Sequence, residues 1–393
     1  PNTRGVGSIA PQPGTSQIPH EMGAEATRER KSDTVTPLLE RSNNYGRLGT
    51  TTATHRGVSE GIHMRVLVVG AGRMGAIRVE DLVADPRVTE VLIANRNESR
   101  AQELASAWGA TALRWEQATD AIADAVVVAV GTDAHDHILS GVLPQGIPVL
   151  CEKPIALTLD DTAAAIDLAQ RSGSPLQIGF QRRFDAAIRG VYDTIQSGGI
   201  GTFYSMTMAS RDHIPSHKDF IPGSGGIFRD LHVHDFDLVR WLTGSEIESV
   251  FATKAVREYQ DYAEFDDADI SSIAVVTTSG VQVVITGARH DALGHDVRLE
   301  AFGSKDSVSA GLNHRTPLRA IEEDLALNAD PYTGFVDRFR DAFRQETTSF
   351  VSLAAGEIEN PTPPESALES LRAAIACEKS IEESRSVNVA DIT

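Results

Sequence analysis

Hydrophobic positions change their period after residue 63, and that change marks where folding begins. Residues 65–69 are almost continuously aliphatic, residues 76–83 repeat apolar positions at helical spacing, and residues 90–94 are aliphatic again. A short unbroken aliphatic run reads as a strand buried on both faces, whereas recurrence every three or four residues reads as one face of a helix. The same reading predicts helices over 99–108, 136–143 and 159–172, and strands over 125–130, 149–151 and 176–179. Strands that alternate with helices need crossover connections, so the predicted first half is a doubly wound α/β domain with a parallel sheet.

Beyond Phe184 the texture shifts. A helix over 186–197 leads to a strand at 203–209, and β-rich runs follow at 249–256, 270–278, 281–288 and 297–302. Ser279-Gly280 is a hairpin-type connection, so the second half is predicted as an α+β domain with an open mixed or antiparallel sheet. Helical runs close the chain at 332–344 and 367–383, and the last helix, about 365–384, is expected to pack back on the first domain. The expected division is 1–63, 64–184 and 185–393. Residues 1–63 are rich in Pro, Gly, Ser, Thr and Arg with few aliphatics, which predicts a disordered extension. Met64 stands directly before the first strand and is a candidate for the true start. Ser and Arg upstream would suit a transit peptide, but Glu21, Glu25, Glu29, Asp33 and Glu40 count against one.

Composition narrows the partners. A formal net charge of -19 leaves no basic face for a nucleic acid or an anionic membrane surface. The most apolar run, 121–130, is short and interrupted by Asp124, so it reads as a strand and not as a membrane span. Cys151 and Cys377 are the two cysteines, too few for a disulfide framework or a metal-type spacing, and a cytoplasmic location is expected.

Candidate chemistry starts at Gly70-Ala71-Gly72-Arg73-Met74-Gly75, which follows a strand and opens a helix. Glycines there permit a tight turn and close approach to a pyrophosphate, with the helix N-terminus favouring its charge; the bland alternative is a structural turn. At the end of the second strand, where an acid usually holds the ribose hydroxyls, stand Asn95 and Arg96. A missing carboxylate and an added cation favour NADP slightly over NAD, unless Arg96 is merely solvated or stacked on the adenine. Glu152-Lys153-Pro154 ends another strand at the same edge, where Lys153 could hold a substrate oxygen or lie solvated in a turn. Asp230 and His234 are four residues apart on a predicted helix, so the carboxylate would orient an imidazole that accepts a proton. The alternatives are a helix-terminal acid with a half-buried His, or a metal cluster including His232, Asp235 and Asp237, for which no completing ligand spacing is visible. Gln181 and Arg182 add polar groups that could bind a polyhydroxy substrate, or Arg182 and Arg183 could brace the domain junction.

Taken together with Gly131-Thr132-Asp133-Ala134-His135 and the run Gly179-Phe180-Gln181-Arg182-Arg183-Phe184-Asp185, these motifs resemble the Gfo/Idh/MocA family from about Met64 to the C-terminus, and most of all its inositol dehydrogenases. The resemblance implies an N-terminal Rossmann dinucleotide-binding domain, a Lys153, Asp230 and His234 catalytic trio, Thr132 and His135 on the nicotinamide-side loop, no metal, and a homodimer or homotetramer formed through the open sheet. The activity it implies is NAD(P)-dependent oxidation of a secondary hydroxyl of a cyclic polyol or sugar to a ketone. A nucleotide- or sugar-sensing protein without catalysis, or the same chemistry on an aldose or amino sugar, are the other readings.

Overall fold

The computed structural model describes residues 63–120, 122–319, 321 and 330–393; the extension expected before the first strand lies, His63 excepted, outside them. The first half runs β1 (Met64–Val69), α1 (Arg73–Ala84), β2 (Val88–Ala94), α2 (Glu98–Trp108), β3 (Thr111–Leu113), β4 (Ala125–Val128), α3 (His135–Val142), β5 (Val149–Cys151), α4 (Leu159–Ser172) and β6 (Leu176–Ile178). Its six strands are all parallel, in the order β3-β2-β1-β4-β5-β6. Because successive side chains of a strand face opposite ways, Leu67 and Val69 enter one hydrophobic cluster, with Ile138, Leu139 and Ile166. Val66 and Val68 enter the other, with Val79, Leu82 and Val351. An unbroken aliphatic run was therefore needed to bury both faces, as the sequence pattern implies. The strand order reverses between β1 and β4, which opens a crevice at the C-terminal ends of the strands.

The second half runs α5 (Ala186–Gln196), β7 (Phe203–Arg211), α6 (Ile221–Ser224), α7 (Gly226–Asp230), α8 (Val233–Thr243), β8 (Ile247–Ala255), β9 (Ile270–Thr277), β10 (Gln282–Ala288), β11 (Asp296–Gly303), β12 (Ser307–Ala310), α9 (Phe335–Ala354), α10 (Pro364–Glu383) and β13 (Val387–Asn388). These strands form a mixed sheet in the order β12-β11-β7-β10-β9-β8-β13, with β7 and β10 parallel and the other neighbours antiparallel. Met206, Ile273, Val283 and Ile285 on its inner face pack with Phe236, Val239, Ala373 and Cys377 of the covering helices. The other face is open and leaves Phe251, Ile270, Val284 and Phe302 exposed.

Two helices tie the halves together. Phe339 and Phe343 of α9 join the second core, while Phe350, Val351 and Leu353 of the same helix join the first. In α10, Ala367 and Leu368 meet the first-half cluster, and Ala373 to Cys377 belong to the second. The residues by which the last helix meets the first-half cluster lie in its first turns, and α9, of the same twenty residues, adds Phe350, Val351 and Leu353 to the other first-half cluster. Strands β3, β12 and β13 were not expected; at three, four and two residues they are too short to show a period. Among the described residues, no helix is long and apolar enough to cross a membrane.

Candidate active site

The three glycines of the first turn serve different ends. Gly70 adopts φ +120°, and a Cβ there would fall 2.4 Å from the Ala129 carbonyl oxygen. At Gly75 a Cβ would lie 1.9 Å from the Gly70 oxygen, so helix and turn touch backbone to backbone. Gly72, the N-cap of α1, faces open space and makes no side-chain capping bond. The first N–H groups of a twelve-residue helix are therefore left for an outside acceptor, which suits a dinucleotide pyrophosphate. Beside the turn, Met74 packs against the core and the Arg73 guanidinium lies 4.8 Å from the Phe335 ring centre.

Asn95 is not a substitute for a ribose-binding acid. Its Oδ1 accepts from the Ala71 N–H at 3.0 Å and its amide donates to the Asn97 carbonyl at 2.9 Å, which stitches the end of β2 to the glycine turn. Arg96 is exposed, 5.4 Å from the Trp115 ring centre and 3.4 Å from Asp133. Thr132 is half-buried on a single 3-10 turn, Thr132–Ala134, after β4.

Three residues expected to face a ligand turn inward. His135, expected beside the nicotinamide, is buried; its Nδ1 lies 3.0 Å from the Pro154 carbonyl and 3.1 Å from that of Ile155, and its Nε2 3.3 Å from that of Val130. It therefore clamps the loop that follows β5, and burial lowers its pKa so that the ring stays neutral. Glu152 is drawn down by Arg78 of α1, which donates to its Oε1 from Nε at 3.0 Å and from a terminal nitrogen at 2.7 Å. Arg182, expected to bind substrate, pairs with Asp235 at 2.5 Å and with the Ser210 hydroxyl at 3.0 Å. Asp235 also accepts from His232 at 2.7 Å, and His232 meets Ser271 at 2.7 Å on its other nitrogen. In each case a buried partner of opposite charge, or a carbonyl, outweighs the solvent. Arg183 likewise braces the core, held by both oxygens of Asp237, whereas Gln181 is buried and makes no side-chain hydrogen bond to the described residues.

Lys153 and Asp230 meet directly, and the charge of Lys153 acts on His234, in an arrangement a continuous helix would not give. The Lys153–Pro154 bond is cis. Lys153 donates to the Asp230 carbonyl at 2.7 Å and to its Oδ1 at 3.0 Å. In an unbroken helix that carbonyl would accept from the His234 N–H. Here it is taken by the ammonium, α7 stops at Asp230, the His232 N–H reaches back to the Ile227 carbonyl, and α8 restarts at Val233. The single helix expected across Asp230 and His234 is thus two helices, and Asp230 does not bond the imidazole.

The second oxygen of Asp230 is held at 2.7 Å by Arg289, a fully enclosed cation at the end of β10 that also lies 3.8 Å from Asp212 and 3.9 Å from Asp267. Burial would raise the Asp230 pKa, but Lys153 and Arg289 outweigh it and keep the carboxyl well below the usual range. Burial, reinforced by Lys153 and Arg182, pushes the His234 pKa well below its ordinary value, so its ring is neutral at pH 7. The ring stands edge-on to Phe180, 6.0 Å between centres, with Nδ1 enclosed and unpartnered, which leaves Nε2 to exchange a proton. Arg289 was not anticipated, although Ala288-Arg289-His290-Asp291 echoes Ser210-Arg211-Asp212-His213 at the end of β7. The two strands are parallel neighbours with Ala288 opposite Arg211, so both segments leave the sheet at one edge.

Comparison with known proteins bears on the family and the fold. A family model described as an oxidoreductase family with an NAD-binding Rossmann fold matches residues 64–180, and the Gfo/Idh/MocA C-terminal domain matches residues 188–309. The chain is 36% identical to a myo-inositol dehydrogenase of Streptomyces leeuwenhoekii over 81% of its own length and 97% of the relative's. It is 32% identical to an inositol 2-dehydrogenase of Rhizobium meliloti over 83% of this chain and 99% of the relative. The crystal structure of a myo-inositol dehydrogenase from Corynebacterium glutamicum superposes with a TM-score of 0.76 at 33% identity, covering 83% of this chain and 98% of that one. An NAD-binding Rossmann half, a mixed-sheet second half and these relatives place the protein in the Gfo/Idh/MocA family of oxidoreductases.

Proposed function

We propose that the protein oxidises a secondary hydroxyl of a cyclic polyol, an inositol or a close relative, to the ketone with NAD(P). The reading is carried by one observation: Lys153, from the nucleotide-binding half, spends two of its three N–H donors on Asp230, and its charge helps to hold the buried His234 ring neutral. A nicotinamide held by the glycine turn and the first turn of α1 would supply the acceptor for the hydride that leaves the carbinol carbon. The pyrophosphate would lie at Gly72 and the first turn of α1. His234 Nε2 takes the hydroxyl proton, and the free Lys153 donor holds the oxygen as charge builds on it. Asp230, pinned at both oxygens, orients Lys153 and offers its outward lone pairs to a neighbouring hydroxyl. The inositol activity in the relatives' names supports the polyol class.

For the nucleotide, the lack of a carboxylate at Asn95 together with the exposed Arg96 supports use of NADP beside NAD. For assembly, Phe251, Ile270, Val284 and Phe302 on the open sheet face support a homodimer or homotetramer. The decisive experiment is a spectrophotometric screen of inositol isomers and hexoses with both nucleotides. Reduction with an inositol is expected; cofactor binding without reduction by any polyol or sugar would leave only a sensor. In the same assay Arg96→Ala should weaken NADP about tenfold relative to NAD, the loss of one charge-assisted contact, and an unchanged ratio would remove the argument for NADP.

A further inference from the structure

A buried acid that the proposed chemistry does not use sits one side chain behind the Lys153 turn. Glu346 of α9 has no exposure, and its Oε2 accepts from Arg78 at 2.5 Å. Arg78 is equally buried and spends all its donors: on Glu346, on Glu152, on the Phe343 carbonyl at 3.3 Å and on the Thr347 hydroxyl at 3.0 Å. One guanidinium therefore couples α1, α9 and the residue preceding Lys153. The other oxygen of Glu346 is enclosed without a hydrogen-bond partner, as befits a carboxyl that carries a proton for part of the time. The charged groups facing Glu346 are Arg78 from α1, Glu152 from the turn after β5, and Asp237 from α8, which Arg183 holds.

We propose that Glu346 is a positioning residue whose charge reaches the nicotinamide end of the site through Arg78 and Glu152, and so biases the protein between oxidised and reduced cofactor. The inference rests on the dehydrogenase reading above. Arg78 and Glu152 cancel each other, so the cluster is neutral when Glu346 is protonated and carries one negative charge when it is not. Burial pushes the Glu346 pKa up to about 7, against the pull of Arg78, so both forms exist at working pH. The oxidised nicotinamide is a cation and the reduced one is not. An ionised Glu346 therefore favours the oxidised form, and the preference grows as pH rises.

The test is the ratio of dissociation constants for NAD+ and NADH, read by protein fluorescence between pH 6 and 8.5 in the wild type, Glu346→Gln and Thr347→Val. In the wild type, NAD+ should gain about three- to tenfold on NADH across that range, the effect of up to one pKa unit of coupling. Glu346→Gln should flatten the ratio, while Thr347→Val, which removes a bond to Arg78 but no charge, should keep its slope. A slope that survives in Glu346→Gln, or vanishes in Thr347→Val, overturns the proposal. Should Glu346→Gln fail to fold, calorimetry of the wild type near pH 7 in two buffers of different ionisation heat decides: NAD+ should release more protons than NADH, and equal release overturns it. Failure of either nucleotide to bind would instead defeat the dehydrogenase reading, so the two failures are distinguishable.

Discussion

Two cations hold Asp230, yet their removal should have opposite consequences. Lys153 and the Asp230 side chain each retain nearly a fifth of their exposure, and Asp230 keeps Arg289 when Lys153 is lost. Lys153→Met should therefore destabilise by only about 1–2 kcal/mol, below the ~3–5 kcal/mol of stranding a fully buried charge. In the proposed mechanism, however, its third donor holds the developing oxyanion, and losing such a donor costs about 10²–10³ in turnover. Arg289→Met reverses the pattern. Arg289 is 2% exposed and faces three carboxylates, at 2.7, 3.8 and 3.9 Å, so its loss leaves them mutually repelling and should cost ~3–5 kcal/mol. The pH dependence follows from the sign of the Asp230 shift. A carboxyl with a depressed folded pKa contributes stability that is present above its unfolded pKa of about 3.9 and lost as pH falls through the folded value. The gap between wild type and Arg289→Met should accordingly be wide at pH 7 and narrow toward pH 3. Urea unfolding at both pH values, with steady-state turnover on an inositol and NAD affinity by fluorescence, measures each term. Lys153→Met turnover within threefold of wild type, or an Arg289→Met stability gap that does not narrow in acid, would refute this account of the site.

The glycine turn separates packing from ligand approach: Gly75→Ala should disrupt the turn and expression because its Cβ meets the Gly70 oxygen, whereas Gly72→Ala should fold with wild-type stability and lose NAD affinity. A Gly72→Ala protein that binds NAD normally would place the pyrophosphate elsewhere. On the open sheet, Val284 sits beside Ala274 of β9 and Thr207 of β7, near the middle of the face. On the assembly proposed above, Val284→Asp should lower the mass in sedimentation to that of a monomer while leaving the fold intact, and an unchanged mass would remove the argument that this face joins subunits. His295, enclosed with Nε2 unpartnered, has its pKa pushed down to about 3 by burial, with Arg182 adding to the effect. Its unfolded form binds a proton first, so stability should fall as pH drops from about 6.5, by at most about 1.4 kcal/mol per unit from this group. His295→Gln should flatten that fall in thermal unfolding between pH 6.5 and 4, and an unchanged slope would mean the ring is charged in the folded protein.

Legibility in the sequence tracked the distance over which each feature is decided. The β1–α1–β2 unit and its glycines were readable because the period of a buried strand, the turn and the helix start all lie within about thirty residues. Arg289 was not, since its meaning comes from the parallel pairing of β10 with β7, and β8 and β9 intervene along the chain. The Asp230 and His234 spacing predicted one helix face, whereas the structure breaks the helix between them: the ammonium of Lys153 captures the carbonyl that would have continued it. Residue type at the sheet edge also could not say which way a side chain points. Glu152 and Arg182 stand where a ligand would bind, yet Arg78 lies beneath one and Asp235 beneath the other, and a buried counter-charge outweighs water. Lys153 differs from both because it shares its partner with a second cation. Arg289 occupies the second oxygen of Asp230, so Asp230 holds the ammonium in place without absorbing all of its donors, and it is on that surplus that the role proposed for Lys153 depends.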